Sequence, residues 1–371
     1  MRTVLSLLFI VSWLTANSQQ KQPFDFTLAQ QHYDSAYRQL KTMLEGKAPA
    51  NFKHAVFITE NAYLDNTANY LEFNTDISRL VVLCQELTRI AKLDYEERDK
   101  EEVNKYWSVF MVMKELKIEE KDSVGTFHPI TPFSYDFNDF FGEQDWTKMF
   151  VTKLLKTKSG NCHSLPFLYK ILCEELGAKA YLAMAPNHIY IKHYSKKNGW
   201  YNTELTSGHF PIDAWIMASG YVHLSAVQNG IYMDTLSAKQ SIAVCMVDLA
   251  SGYARKLGKH ADSGFIMKCA EKALQYYPSY VNAMILKAET MKKQFESHMA
   301  KSNAKYPVDA FSESEAKQLF DKMEKLYFHI HKIGYRMMPK EMYADWLNDL
   351  SKERQKYQNQ NVINDFNSSK N

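Results

Sequence analysis

The stretch that decides the fold is residues 159–177, SGNCHSLPFLYKILCEELG, followed by residues 178–206, AKAYLAMAPNHIYIKHYSKKNGWYNTELT. Gly160 ends what precedes it, and a new helix is expected to start near Asn161. Leu165, Leu168, Leu172 and Leu176 recur at three- and four-residue intervals as a buried stripe, and Gly177 suits the left-handed position after the last turn. Three strand-like runs follow, 179–184, 188–194 and 200–206, with the loop Ser195-Lys196-Lys197-Asn198-Gly199 joining the last two as a hairpin. A helix packed on a short antiparallel meander predicts a helix-rich α+β fold.

Working outward, the N-terminal side reads as helical from about residue 24 to 116. Ile77, Leu80, Cys84, Leu87 and Ala91 form a stripe behind the expected caps Asn74 and Thr75. Residues 124–142, rich in Pro, Phe and Tyr, follow neither the helical nor the strand period and read as a packed irregular segment. Beyond Leu236 the helical period returns. Ile242, Met246, Leu249, Tyr253 and Leu257 make one stripe, Ile266, Cys269, Ala273 and Leu274 a second, and Ala283, Leu286 and Met291 a third after Pro278. Small residues at the helix crossing and a proline at the turn resemble one tetratricopeptide-type repeat and part of another. Ser312 and Glu315 fit a capping box, Pro339 can open a last helix, and residues 359–371 read as a disordered polar tail. The expected division is 1–18, 19–140 (N-terminal helical), 141–235 (central α+β), 236–358 (tetratricopeptide-like) and the tail.

Residues 1–18 read as a secretory signal: Arg2 precedes a short apolar run, and Ala16-Asn17-Ser18 supplies small residues at a cleavage site. The expectation is an extracytoplasmic (periplasmic or secreted) product with no membrane span. The 45 Lys and Arg against 42 Asp and Glu give a formal charge of +3, too balanced for a nucleic-acid surface. Only 13 Gly and 10 Pro argue against a many-turned all-β chain. The five cysteines are an odd number for an oxidising compartment, so at least one stays unpaired within the chain. No Walker loop, GxGxxG, HExxH or EF-hand loop is present, and no cofactor or metal is expected.

The chemistry-bearing residues lie in the central stretch. A cysteine in the first turn of a helix faces unpaired N–H groups and the positive dipole end, both of which favour the thiolate. Cys162 has that position, with Gly160 leaving room for a substrate to approach. An imidazole must reach the sulfur, and a carboxylate or amide must orient the ring. His188, Tyr190 and Lys192 share one strand face, and Trp200, Asn202 and Glu204 share another. Where these faces coincide, Cys162, His188 and Glu204 converge, with Asn202 as the alternative orienting group. His193 falls on the opposite face from His188. His163, Ser164 and Asn187 read as cap or turn residues, and Gln144 is a possible oxyanion donor.

GNCHSLPFLY, PNHIYIK and NTELT in that order resemble the transglutaminase-like branch of the papain-type cysteine fold. They are closest to bacterial SirB-type transglutaminase-like proteins, which carry this domain ahead of tetratricopeptide helices. The resemblance covers residues 145–206 and, more loosely, 236–291. It implies Cys162 as nucleophile, His188 as base and Glu204 as orienting acid, in a Cys-His-Glu catalytic triad. The expected function is cysteine-dependent acyl transfer, of peptidase, amidase or transglutaminase type, on peptide or protein substrates. The alternative is a catalytically silent module that binds a peptide or envelope partner, with the C-terminal helices as its partner surface.

Overall fold

The computed structural model describes residues 25–121, 127–352, 356 and 358–368. The expected leader at 1–18 lies outside the described residues. Four helices open the described chain: α1 (Phe26–Leu44), α2 (Phe52–Tyr63), α3 (Tyr70–Ile90) and α4 (Lys100–Phe110). Asp25, Asn51 and Asn69 cap the first three, each side chain accepting backbone N–H bonds that the first turn cannot satisfy internally. The α3 cap is thus Asn69, not Asn74 or Thr75. The latter two lie inside the helix, where Asn74 accepts a 2.9 Å bond from the Lys53 ammonium. The polar composition of residues 65–76 offers several cap-competent side chains, and the apolar stripe alone did not select among them.

The segment expected to be irregular contains two short strands. β1 (Ile118–Lys121) pairs antiparallel with β2 (Phe127–Ile130), and β3 (Ser134–Tyr135) pairs parallel with β4 (Ser159–Gly160). Two-residue pairing is too short to leave a period in the sequence. It nevertheless carries Tyr135 alongside the residue pair that precedes Cys162. Between β3 and β4 runs α5 (Val151–Thr157), and after β4 comes α6 (Ser164–Glu175).

The central sheet is the expected meander, β5 (Tyr181–Ala185), β6 (His188–Ser195) and β7 (Gly199–Thr203), in the order β5-β6-β7 with both pairings antiparallel. Leu165, Leu168 and Leu172 of α6 are wholly buried, and the helix packs against β5 and β6. Short helices α7 (Asp213–Met217) and α8 (Leu224–Gln228) follow. The long helices α9 (Ala238–Leu257), α10 (Ser263–Tyr276) and α11 (Val281–Lys301) come next, then α12 (Ser314–Lys332), α13 (Lys340–Lys352) and α14 (Gln360–Asn367). Pro278 stands in the turn between α10 and α11, and Ala270, Ala273 and Ala283 are buried there. A helix-rich α+β class therefore holds. No described helix is long and apolar enough to cross a membrane.

One hydrophobic core runs from α1 and α2 through α6 and the sheet to α13 and α14. Helix α9 packs against both α1 and α2, so the first and last thirds of the chain share an interior. Two local expectations fail. Glu313 rather than Ser312 precedes α12, and no side chain caps it, because Ser312 closes a short 3₁₀ turn (Pro307–Ser312). Residues 360–367 form α14 rather than a frayed tail. Val362 and Phe366 are buried, and the Trp107 indole N–H donates to the Phe366 carbonyl at 3.1 Å. A two-turn helix bearing two buried apolar side chains is held by the surface it meets, which its own sequence does not announce.

Candidate functional site

The site is built on a helix start. The Asn161 side-chain oxygen accepts from the N–H groups of His163 (3.0 Å) and Ser164 (3.1 Å), while its carbonyl accepts from Leu165 at 3.1 Å. That is N-cap geometry, and it puts Cys162 in the first position of the turn leading into α6. Pro166 has no N–H to give the Cys162 carbonyl, which is why regular helix begins only at Ser164. Gly160 serves a different purpose from the one expected. A β-carbon there would lie 2.4 Å from Ser164 Oγ and 2.8 Å from Leu154 Cδ1. The room is filled by Ser164 and Leu154, not kept for a substrate.

The register Lys192↔Asn202 and Tyr194↔Trp200 makes the two predicted strand faces one face. His188 and Glu204 meet on it: His188 Nε2 and Glu204 Oε2 are 2.5 Å apart, both side chains buried. The second Glu204 oxygen accepts from Thr206 N–H at 2.7 Å. The other ring nitrogen, His188 Nδ1, lies 2.9 Å from the Tyr343 hydroxyl, and the ring also interacts with the Cys162 side chain. The Cys162 sulfur interacts with His188, Tyr343 and Tyr135, and in its thiol form reaches the Asn187 carbonyl at 3.6 Å. Cys162, His188 and Glu204 are thus brought together. Asn202 is not part of this set, since its amide donates to the Pro211 carbonyl (3.0 Å) and to Asp213 (2.8 Å). Gln144 is exposed, its backbone N–H tied to Asp139, and it stands outside the cleft that Cys162 lines. His193 is buried elsewhere, stacked on Tyr106 with Nε2 3.1 Å from the Tyr169 hydroxyl.

Electrostatics set Cys162 apart from the other four cysteines. All five are free and buried. Burial pushes Cys84 up to about 12, and drives Cys173, Cys245 and Cys269 upward as well. Burial also raises Cys162, but hydrogen bonding to His188 and the charge of that ring outweigh it, and the thiol pKa is lowered. Burial opposes the charged form of His188, yet the Glu204 carboxylate and the sulfur lift the ring to about 10. Burial likewise opposes the Glu204 carboxylate, and the imidazole beside it brings its pKa below the usual value. The physical picture is a buried cysteine–histidine–glutamate row in which each charged form favours its neighbour's.

Cys162 and His188 line a cleft of about 420 Å³. Phe140, Phe141, Trp146 and Met149 form one part of its lining, Ile231 and Tyr232 another, and Val247, Ile285 and Leu286 of the C-terminal helices a third. Asp248 and Glu289 are its acidic members, and no Lys or Arg lines it. A second cleft of about 340 Å³, between α3 and α5, holds none of these groups. Among the described residues, no group of three or more His, Cys, Asp or Glu is placed to hold a metal ion.

Sequence reasoning missed Tyr135 and Tyr343. Tyr343 comes from α13 and is wholly buried. Its neighbour Trp346 meets the His188 ring edge-on at 5.4 Å while stacking on Trp215 at 4.4 Å. The Asn187 amide donates to Met338 O at 2.9 Å, tying the segment before α13 to the turn before His188. No local motif marks these residues. The only available signal was a tyrosine and a tryptophan at helical spacing after Pro339.

No family model matches the chain, and no curated protein matches it. Among solved structures, the chain is similar to menin, whose crystal structure is described as revealing the binding site for the Mixed Lineage Leukemia protein. The likeness covers 94% of this chain and 93% of that one at 11% identity, with a TM-score of 0.31, and at that score it carries no argument about fold or function.

Proposed function

We propose that the chain is a thiol-dependent acyl-transfer enzyme acting on a peptide or amide carbonyl. The observation that carries this reading is the buried row Cys162, His188, Glu204, with Cys162 and His188 lining a cleft and the Cys162 thiol pKa lowered while the other four rise. In the proposed reaction the Cys162 thiolate attacks the carbonyl carbon, forming the C–S bond as the π electrons move to oxygen. The tetrahedral intermediate collapses by breaking the C–N bond, and the leaving amine takes the proton from His188 Nδ1. Water or an amine then attacks the thioester, passing its proton back to Nδ1 as the thiolate leaves. Glu204, on Nε2, keeps the proton-carrying nitrogen turned toward the sulfur throughout.

A transglutaminase-like centre is part of the same proposal, as is a tetratricopeptide-like role for α9 to α11 as a partner surface. Support for the latter is limited to buried alanines around the Pro278 turn and the contribution of α9 and α11 to the cleft. The proposed location is extracytoplasmic, resting on residues 1–18 alone.

One observation favours a silent binding cleft instead: the Tyr343 hydroxyl already occupies His188 Nδ1. Labelling of the intact protein by an electrophilic thiol probe separates the two. The enzyme reading expects stoichiometric labelling at Cys162 that persists below neutral pH and disappears in Cys162→Ala. Labelling confined to other cysteines, or an acid limb near the ordinary thiol value of about 8.5 that His188→Ala leaves unmoved, refutes it.

A further inference from the structure

We infer that His163 is a second, fixed imidazolium beside the nucleophile, held by Asp248 as a positioning residue that keeps Cys162 ionised while His188 shuttles its proton. The inference rests on the acyl-transfer reading above and deepens it. The geometry leaves His163 little choice of protonation state. Its Nδ1 lies 2.9 Å from the Met149 carbonyl, and its Nε2 lies 3.0 Å from Asp248 Oδ2. A carbonyl only accepts, so Nδ1 carries a hydrogen. A neutral ring of that tautomer would set the Nε2 lone pair against a carboxylate. Imidazolium on carboxylate is the arrangement that makes both contacts hydrogen bonds. The ring is wedged against Phe167, with centroids 4.0 Å apart, and both His163 and Asp248 line the same cleft as Cys162.

Of the neighbouring titratable groups other than Cys162, only Glu60 changes charge near neutral pH. Facing this pair are Glu60 from α2, Cys245 from α9, Tyr280 at the start of α11 and Cys162 itself. Burial raises Cys245 and Tyr280, leaving both neutral. Burial pushes Glu60 up to about 7, and its oxygens are taken by the N–H groups of Val151 (2.7 Å) and Thr152 (2.9 Å), which it caps. Burial also opposes the His163 charge, but Asp248 and the Met149 carbonyl outweigh it, and the ring is raised. The consequence concerns the middle of the reaction. The charge on His188 vanishes when its proton goes to the leaving group, whereas both protons of His163 are bonded to groups that take no part. The His163 charge, offset in part by its Asp248 partner, therefore stays constant beside the sulfur while that of His188 changes.

The test is the pH profile of Cys162 alkylation by iodoacetamide in the full chain, for native protein, Asp248→Asn, His163→Gln and His188→Ala. Asp248→Asn keeps the shape and a hydrogen-bond acceptor but removes the counter-charge. The inference expects its acid limb to move upward, with the rate at pH 6 down about three- to tenfold, far less than for loss of a bare adjacent charge, because the Asp248 carboxylate offsets part of the His163 charge in the native protein. His163→Gln should do the same. An Asp248→Asn profile that superimposes on the native one, while His188→Ala is displaced, overturns this inference and leaves the enzyme reading standing. Superposition of all three variants overturns the enzyme reading itself. Should Asp248→Asn fold poorly, the ring nitrogen shifts of His163 in the native protein decide the matter: a doubly protonated ring at neutral pH is expected, and a neutral ring refutes the inference.

Discussion

Replacing Glu204 by Gln probes the buried row most directly, because the two carboxylate oxygens are already assigned. Oε2 faces His188 Nε2 at 2.5 Å and Oε1 accepts from Thr206 N–H at 2.7 Å. A glutamine has one oxygen and one NH₂ for these two places. If the oxygen faces His188, the NH₂ confronts the Thr206 N–H, donor against donor, and a buried hydrogen bond is lost. If the oxygen faces Thr206, the NH₂ faces Nε2 and forces that nitrogen to accept. The ring proton then moves to Nδ1, and the neutral ring has no lone pair to offer the thiol. Either way the charge that lifts His188 to about 10 is gone. A unit charge about 4 Å away at an effective dielectric of about 20 is worth ~4 kcal/mol, or roughly three pKa units, so the ring should return to its ordinary range.

Cys162 then loses the cation that lowers it and reverts toward an ordinary thiol. The assay is the pseudo-first-order alkylation rate of Cys162 between pH 5 and 9. With an ordinary thiol pKa of about 8.5, only about 0.3% is thiolate at pH 6, so the rate there should fall by up to about 300-fold. At pH 9 the gap should narrow to a few-fold. A Glu204→Gln rate at pH 6 within twofold of native, in a folded protein, refutes the argument that this carboxylate sustains the ion pair.

Other perturbations follow from the same geometry. Tyr343→Phe removes a donor from the sulfur, and the acid-side alkylation rate should drop about tenfold, the worth of a hydrogen bond to a charged group; an increase would mark the hydroxyl as a latch instead. Gly160→Ala drives a β-carbon to 2.4 Å from Ser164 Oγ and should cost ~1–3 kcal/mol by denaturant titration, with part recovered in the Gly160→Ala/Ser164→Ala double variant. Phe366→Ala empties a buried site between Phe110 and Phe210 and should cost ~3–5 kcal/mol, against near-neutrality if residues 360–367 were a loose tail. Stability should also follow the titration of the buried pair. The raised His188 ring contributes stability that is complete below its ordinary 6.5 and lost as pH rises through about 10. The depressed Glu204 contributes stability present above its ordinary 4.5 and lost as pH falls through its folded value. Both slopes should flatten in Glu204→Gln, measured as the urea midpoint across pH 3–10.

The parts of this architecture legible in the sequence are those whose cause lies within a few residues. The α6 stripe shows because every third or fourth residue must face the sheet. The strand faces bearing His188 and Glu204 show because alternation is a property of the backbone, and a short hairpin loop leaves few registers. Asn161 as a cap is likewise a local event. What remained hidden is non-local. Tyr135 reaches the sulfur through a two-residue parallel pairing, and Tyr343 through a helix far along the chain that packs on His188 with Trp346. Gly160 was visible but misassigned, and His163 was legible as a turn residue before α6 while its partner was not. A glycine or histidine beside a cysteine says that something approaches closely, and only the fold says whether it is a substrate, Ser164 or Asp248. The site's local frame, with the His188–Glu204 pair that sets the charge on Cys162, is therefore written in one stretch of sequence, while further groups packed on it come from α9 and α13. A chain cut before α13 should keep the α6–meander stripe and lose the two aromatic walls of His188, so thiol reactivity at low pH should prove more sensitive to the integrity of the C-terminal helices than helix content does.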